Sequence, residues 1–107
     1  MLKASLAATS TPAAPTPAQD RRWLLDRARS EQRRYRIAAA ERLYRQILAR
    51  APQDSEALSG LGELDLLRDR VDLADQHFQA ALGANSNYIP ALIAAADIRW
   101  QSGRADE

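Results

Sequence analysis

The feature that most constrains the fold of this chain is an internal repeat with a period of 34 residues. Shifting the sequence by that distance superimposes residues of similar size and polarity. The superimposed sets are Leu24/Leu58/Leu92, Ala28/Gly62/Ala96, Ile37/Val71/Ala105, Ala40/Ala74, Tyr44/Phe78 and Leu48/Leu82. A period of about 20–50 residues indicates a structural unit that buries its apolar face only by stacking on its own copies.

Within each period the apolar residues recur at helical spacing. One stripe places five of them on a single helix face, namely Ile37, Ala40, Tyr44, Ile47 and Leu48. No segment alternates with period two for long enough to form a strand. The sequence therefore predicts an all-α fold of five helices. They are expected from about Arg21 to Arg34 with Asp20 as N-cap, from Ile37 to before Pro52, from Asp54 or Ser55 to Leu67, from Val71 to Gly83–Asn87, and from near Tyr88 to before Gly103.

The N-terminal segment has a different composition. Residues 1–19 are rich in alanine, proline and threonine, and Pro12, Pro15 and Pro17 remove backbone donors while disfavouring helix in the residues before them. We predict a disordered tail or linker, because little apolar surface is present to offset the ordering entropy. A signal peptide is the alternative, but its apolar core would span only residues 4–8, which is short for that role.

The residue inventory bears on enzymatic function. There is no cysteine, and His77 is the only histidine. The glycines Gly60 and Gly62 lie inside an expected helix, which favours close packing over a phosphate-binding loop. Since no nucleophile, base and orienting group belong together, we expect no enzyme, no cofactor and no metal site. No apolar run is long enough to span a membrane.

Charge is divided along the chain. Residues 20–50 carry ten arginines and four carboxylates, whereas residues 51–107 carry four arginines and ten carboxylates. A fold that keeps the two halves apart would have a basic end and an acidic end, which matters for association more than for folding. Abundant arginine and alanine beside the single Lys3 are typical of a GC-rich bacterial genome.

A 34-residue period of paired helices resembles the tetratricopeptide repeat (TPR) family. The best match is the segment from Ala40 to Leu48 followed by Pro52. Residues 21–54 and 55–88 resemble two repeats, and residues 89–107 resemble half of a third, so that residues 20–107 form one domain. The resemblance implies a right-handed superhelical stack of antiparallel helix pairs. The sequence departs from the family where Tyr35 and Asp69 replace the glycine between paired helices, and where Glu31, Asp65 and Arg99 replace an aromatic residue.

In such a stack the first helix of each pair lines the concave side. The resemblance thus implies a groove that binds a peptide or a helix of another protein, within a bacterial multiprotein assembly. Helical spacing assigns the groove residues Arg22, Leu25, Arg29, Arg33, Glu56, Ser59, Glu63, Leu66, Pro90, Ile93, Asp97 and Trp100. Among these, arginine and tryptophan are the types most often found as interface hot spots.

Two alternatives stay open. The first is self-assembly through the apolar face of the last helix, residues 88–101, and through the opposite charged ends. The second is polyanion or nucleic-acid binding by the arginine-rich first helix, which is disfavoured because the rest of the chain is acidic. We also expect either that the chain is a piece of a longer protein or that its last helix is covered by another chain. For the compartment we favour the cytoplasm, with the periplasm as the alternative for part of an exported protein.

Overall fold

The computed structural model describes residues 17–103, with side chains from residue 20 onward. This part of the chain contains five helices and no strand, which confirms the all-α prediction. The helices are α1 (Pro17–Arg33), α2 (Ile37–Arg50), α3 (Ser55–Leu67), α4 (Val71–Ala84) and α5 (Ile89–Gly103).

The start of α1 differs from the prediction. The helix begins at Pro17 instead of after an N-cap at Asp20, so residues 17–19 belong to a helix and not to the predicted tail. Proline suits this position because its ring fixes a helical φ and its missing N–H would have no partner in the first turn. The remainder of the predicted tail, residues 1–16, and residues 104–107 lie outside the described part of the chain.

The two turns that follow α1 and α3 share one backbone conformation. Tyr35 and Asp69 have φ values of 60° and 63°, in the left-handed region that usually favours glycine. The N–H of Arg36 donates to the carbonyl of Glu31 at 2.9 Å, and the equivalent bond 34 residues later measures 2.8 Å. This hydrogen bond closes the helix end and reverses the chain. The positions where the sequence lacks the expected glycine therefore still take the conformation that glycine would take.

Ion pairs and hydrogen bonds establish the relative directions of the helices. Arg50 at the end of α2 pairs with Asp20 near the start of α1, so these two helices are antiparallel. Across α3 and α4, His77 Nδ1 and Asp65 Oδ2 are 2.6 Å apart. Each helix packs chiefly against the next one along the chain, and α1 also contacts α3.

Small residues let the helices approach closely. The ring of Tyr44 on α2 occupies the space beside Gly60 on α3 that a side chain would need. The ring of Phe78 on α4 packs against Gly62 in the same way, and a Cβ there would be 2.8 Å from Phe78 Cε1. Both rings are almost fully buried. The core therefore depends on the pairing of small residues with aromatic rings that the repeat contains.

The buried side chains form two clusters. The first joins α1, α2 and α3 and consists of Leu24, Leu25, Ala28, Ala40, Tyr44, Ile47, Ala57, Leu61 and Leu64. The second joins α4 and α5, with Leu58 packed against it, and consists of Ala74, Phe78, Ala81, Ala91, Ala95 and Ile98. The core thus extends along the stack of helices, as expected when each unit covers its neighbour.

Candidate partner-binding surface

The first helices of the two repeats, α1 and α3, lie side by side and form a polar surface, here called the α1–α3 face. Arg21 and Gln32, near opposite ends of α1, contact Glu56 and Glu63 at corresponding places on α3. The two helices therefore run in the same direction. Their exposed sides therefore lie next to each other.

The residues predicted to line a groove have different exposures. Arg22, Arg29, Arg33, Leu66, Ile93, Asp97 and Trp100 are exposed, as is Pro90, while Glu56 and Glu63 are half-buried. Leu25 and Ser59 are only 3% and 1% exposed, and Leu25 belongs to the buried cluster that joins α1, α2 and α3. These two residues are a correction to the prediction, because a buried side chain does not line an open groove.

An ion-pair network links the beginnings of α1 and α3. Arg21 Nε lies 2.5 Å from Asp54 Oδ2, and the same guanidinium also pairs with Glu56. Arg29 Nη2 is 3.1 Å from the other oxygen of Glu56. Glu56 thus lies between two arginines, and it holds Arg29 in a defined position on the surface. A charged side chain fixed in this way loses less conformational entropy when it binds a partner.

Asp54 has two roles in this network. Its side chain accepts a hydrogen bond from the backbone N–H of Ala57 at 3.1 Å, which makes it the N-cap of α3. Burial alone would raise the pKa of Asp54, but the hydrogen bonds from Arg21 and from the helix N–H groups outweigh burial and lower that pKa. The ionised cap therefore couples the start of α3 to α1.

A second polar chain crosses the α1–α3 face near the C-terminal end of α1. The hydroxyl of Tyr44 donates to Gln32 Oε1 at 2.7 Å, and Gln32 Nε2 donates to Glu63 Oε1 at 2.7 Å. Burial raises the pKa of Tyr44 to about 12, and it also raises the pKa of Tyr88, so both phenols stay protonated near neutral pH. Arg29 lies near both hydroxyls and favours the ionised form of each.

A small pocket opens beside Arg29. Its volume is about 190 Å³, and it is lined by Arg21, Arg22, Leu25, Asp26, Arg29 and Glu56. Cavities that hold a drug-sized ligand are about 300–1,000 Å³, so this pocket fits one side chain of a partner. Arg22 and Arg29 at its rim offer donors for a carboxylate, because Arg29 contacts Glu56 through Nη2 alone, whereas Arg21 pairs with both Asp54 and Glu56 through two nitrogens.

Two apolar residues of the predicted groove lie on α5. Ile93 and Trp100 on α5 are 63% and 71% exposed. Trp100 borders a second cavity of about 600 Å³ between α4 and α5, which does not include any residue of α1 or α3. Trp100 is therefore placed at a cavity separate from the pocket beside Arg29.

Sequence reasoning missed Gln32, Tyr44, Asp54 and Tyr88 as parts of the polar surface. Tyr44 was interpreted as the core aromatic of the second helix, and its ring is indeed buried. Its hydroxyl, however, reaches across to α1 because Gly60 leaves room for the ring. The difference between Tyr44 and its repeat equivalent Phe78 was the available signal, since only a tyrosine can make this hydrogen bond.

Among the described residues, no group of three or more histidine and carboxylate side chains is placed to hold a metal ion. Within residues 17–103, no helix combines the length and the apolar character that crossing a membrane requires.

Comparison of the chain with known protein families, with curated proteins and with solved structures finds no match.

Proposed function

We propose that this chain is a TPR-like interaction module that binds a peptide or a helix of another protein on the α1–α3 face. The 34-residue repeat supports this proposal, because Ala40 and Ala74 are both fully buried and Tyr44 and Phe78 both pack on a glycine. Repeated helix pairs that pack in this way form the right-handed superhelical stack of the proposal. Such stacks present extended surfaces rather than enclosed catalytic clefts, so the proposed role is non-enzymatic.

The observation that carries the proposal is the placement of Arg29. Its side chain is 44% exposed, and Glu56 holds it at the rim of a pocket that fits one side chain. Arg22 and Arg33 lie seven residues before and four residues after it, on nearly the same face of α1, and both are exposed. We infer that the partner segment carries a carboxylate that inserts beside Arg29. Further acidic groups of the partner would then lie along α1, next to Arg22 and Arg33.

The alternative of polyanion binding receives less support from the same contacts. Arg21, Arg27, Arg29 and Arg36 of the arginine-rich region each pair with a carboxylate. Phosphate binding depends on positive charge that is free to replace counterions. Internal pairing reduces that charge and favours a protein partner with a few well-placed acidic groups.

The test replaces Asp26, which lines the small pocket beside Arg29, with a photo-crosslinking amino acid. The protein that this variant captures from native lysate is then identified. In a second step, Arg29→Glu is expected to reduce capture at least tenfold, because the new carboxylate repels the acidic partner. Arg45→Glu on α2 is the matched control. It changes the same charge at an exposed position whose only described ion pair is with Glu41 on its own helix. Equal losses in both variants, or no loss in either, would contradict the proposal.

A further inference from the structure

The second cavity lies between α4 and α5 and is here called the α4–α5 groove. Its volume is about 600 Å³, and its lining residues are Gln79, Leu82, Leu92, Ala95, Ala96, Arg99, Trp100 and Gly103. Leu92 is 41% exposed, and Ala96 beside it is also exposed. The groove therefore presents an apolar strip that solvent covers, next to one arginine.

The same positions of the preceding repeat are covered by a helix. Leu92 and Ala96 correspond to Leu58 and Gly62 at a distance of 34 residues. There α4 lies on α3, with the ring of Phe78 directly against Gly62. The chain thus contains its own example of how this type of surface is occupied, which is by an antiparallel helix.

The covering helices share a side-chain pattern. In both, an alanine is followed after four residues by an aromatic residue and after eight by a leucine, as in Ala40/Tyr44/Leu48 and Ala74/Phe78/Leu82. Both alanines and both rings are buried, at 0–1% exposure. This spacing places the three side chains on one face of a helix. The α4–α5 groove, built from equivalent positions, fits a helix of the same pattern.

One position distinguishes the α4–α5 groove from the corresponding surface of α3, which α4 covers. On α3 the residue at the edge of the covered strip is Asp65, and it meets His77 of the covering helix at 2.6 Å. On α5 the corresponding residue is Arg99, which is exposed and for which no ion pair is found within residues 20–103. In a helix that covers α5, a carboxylate at the position that corresponds to His77 would pair with Arg99 and strengthen binding. On α4 this position lies three residues after the small residue Ala74.

We propose that the α4–α5 groove is a second docking site, which takes an amphipathic helix of a partner protein. This helix begins its pattern with a small residue. Counted from that residue, a carboxylate follows after three positions, an aromatic residue after four and a leucine after eight. A second folded copy of this chain does not present such a helix, because α2 and α4 bury the faces that carry the pattern. This site is separate from the α1–α3 face and does not depend on the function proposed for it.

The repeat supplies the probe for the test. A fluorescent peptide that copies residues 68–87 with His77→Glu is titrated with the protein, and anisotropy reports binding. Its matched control is the same peptide with His77→Arg. We expect the glutamate peptide to bind about tenfold more tightly, because it pairs with Arg99 while the arginine peptide is repelled. In the Arg99→Glu protein the preference is expected to reverse.

Two protein variants locate the binding. Leu92→Asp, at an exposed position that tolerates a polar side chain, is expected to abolish peptide binding. Arg29→Glu is expected to leave it unchanged, so that failure of this site can be told apart from failure of the α1–α3 proposal.

Equal affinities of the two peptides would overturn the inference. Binding that survives Leu92→Asp would also overturn it, since the peptide would then be displacing α4. A third result would also overturn the inference. It is a wild-type protein that sediments as a dimer and a Leu92→Asp variant that sediments as a monomer, because a second copy would then occupy the groove.

Discussion

Helices α1 to α4, here called the covered stack, and the last helix, α5, carry the same repeat pattern in two different environments. Leu24 is 5% exposed, whereas its equivalent Leu92 is 41% exposed. Ala28 is completely buried, whereas Ala96 is exposed. The side chains are alike, so the difference arises from the neighbouring helix that covers one position and not the other. The repeat specifies which surface is suited to burial, and the neighbour decides whether that surface stabilises the fold or stays exposed to solvent.

The largest expected effect comes from equivalent leucines in the two regions. Leu24→Ala removes buried contacts and leaves a cavity, so it should lower the free energy of unfolding by about 3 kcal/mol. Leu92→Ala removes a side chain that is partly in solvent, and the loss should be below about 1 kcal/mol. Urea denaturation followed by circular dichroism measures both. Equal losses would break the comparison, since they would mean that α5 is covered as fully as α1.

The second test compares glycines in the same two regions. Gly60→Ala places a methyl group against the buried ring of Tyr44, and we expect a loss of about 2 kcal/mol from overpacking. Gly83→Ala, at the end of α4, meets no atom within 4 Å and should add about 0.5–1 kcal/mol through helix propensity. Thermal melts of the two variants should therefore shift in opposite directions. A stabilising Gly60→Ala would show that α2 and α3 are less tightly packed than described.

A third prediction concerns the turns that reverse the chain within the covered stack. Tyr35 is in the left-handed region and the residue is 73% exposed, so Tyr35→Gly relieves backbone strain at little cost in packing. Because glycine also increases the entropy of the unfolded chain, the net gain should be about 0.5–1 kcal/mol. Tyr35→Ala is the control, as it removes the ring but keeps the strain. Asp69→Gly should gain less, because aspartate tolerates this conformation better than tyrosine. No gain at either position would contradict the turn geometry.

The smallest effect concerns pH. The hydrogen bond from Arg68 is the main reason why the pKa of Glu41 lies below its usual 4.5, and the network around Arg21 likewise lowers the pKa of Asp54 below 3.8. A lowered pKa in the folded state contributes stability above the unfolded-state value, and this contribution is lost as the pH falls through the folded value. Stability of the covered stack should therefore decrease on acidification below about pH 5.

The variants Glu41→Gln and Arg68→Gln test this account of the acid response. Each removes one side of the ion pair that joins α2 to the C-cap residue of α3, so each should make the unfolding free energy depend less steeply on pH between about 5 and 3. The measurement is a series of urea titrations across this range. A slope equal to that of the wild type would show that the pair does not contribute.

Much of the fold could be predicted because it depends on local patterns. Helical spacing indicated five helices, and Gly60 and Gly62 inside an expected helix indicated close packing. Contacts between helices distant in the chain were harder to predict. Leu25 on α1 and Ser59 on α3 are buried, and no periodicity within either helix alone indicates this burial or the contact between the two helices. The pairing of Arg21 with Asp54 also depends on that contact, so the sequence indicated the charges but not which of them would remain available.

Native-state hydrogen exchange tests the central claim most directly, since it reports the local stability of each helix in one experiment. The account predicts that the amides of α5 exchange faster than those of α2 and α3, and that the glutamate peptide of residues 68–87 slows exchange selectively in α4 and α5. Exchange in α5 that is as slow as in α3 without any peptide would contradict the claim, because the last helix would then already be as stable as the covered stack.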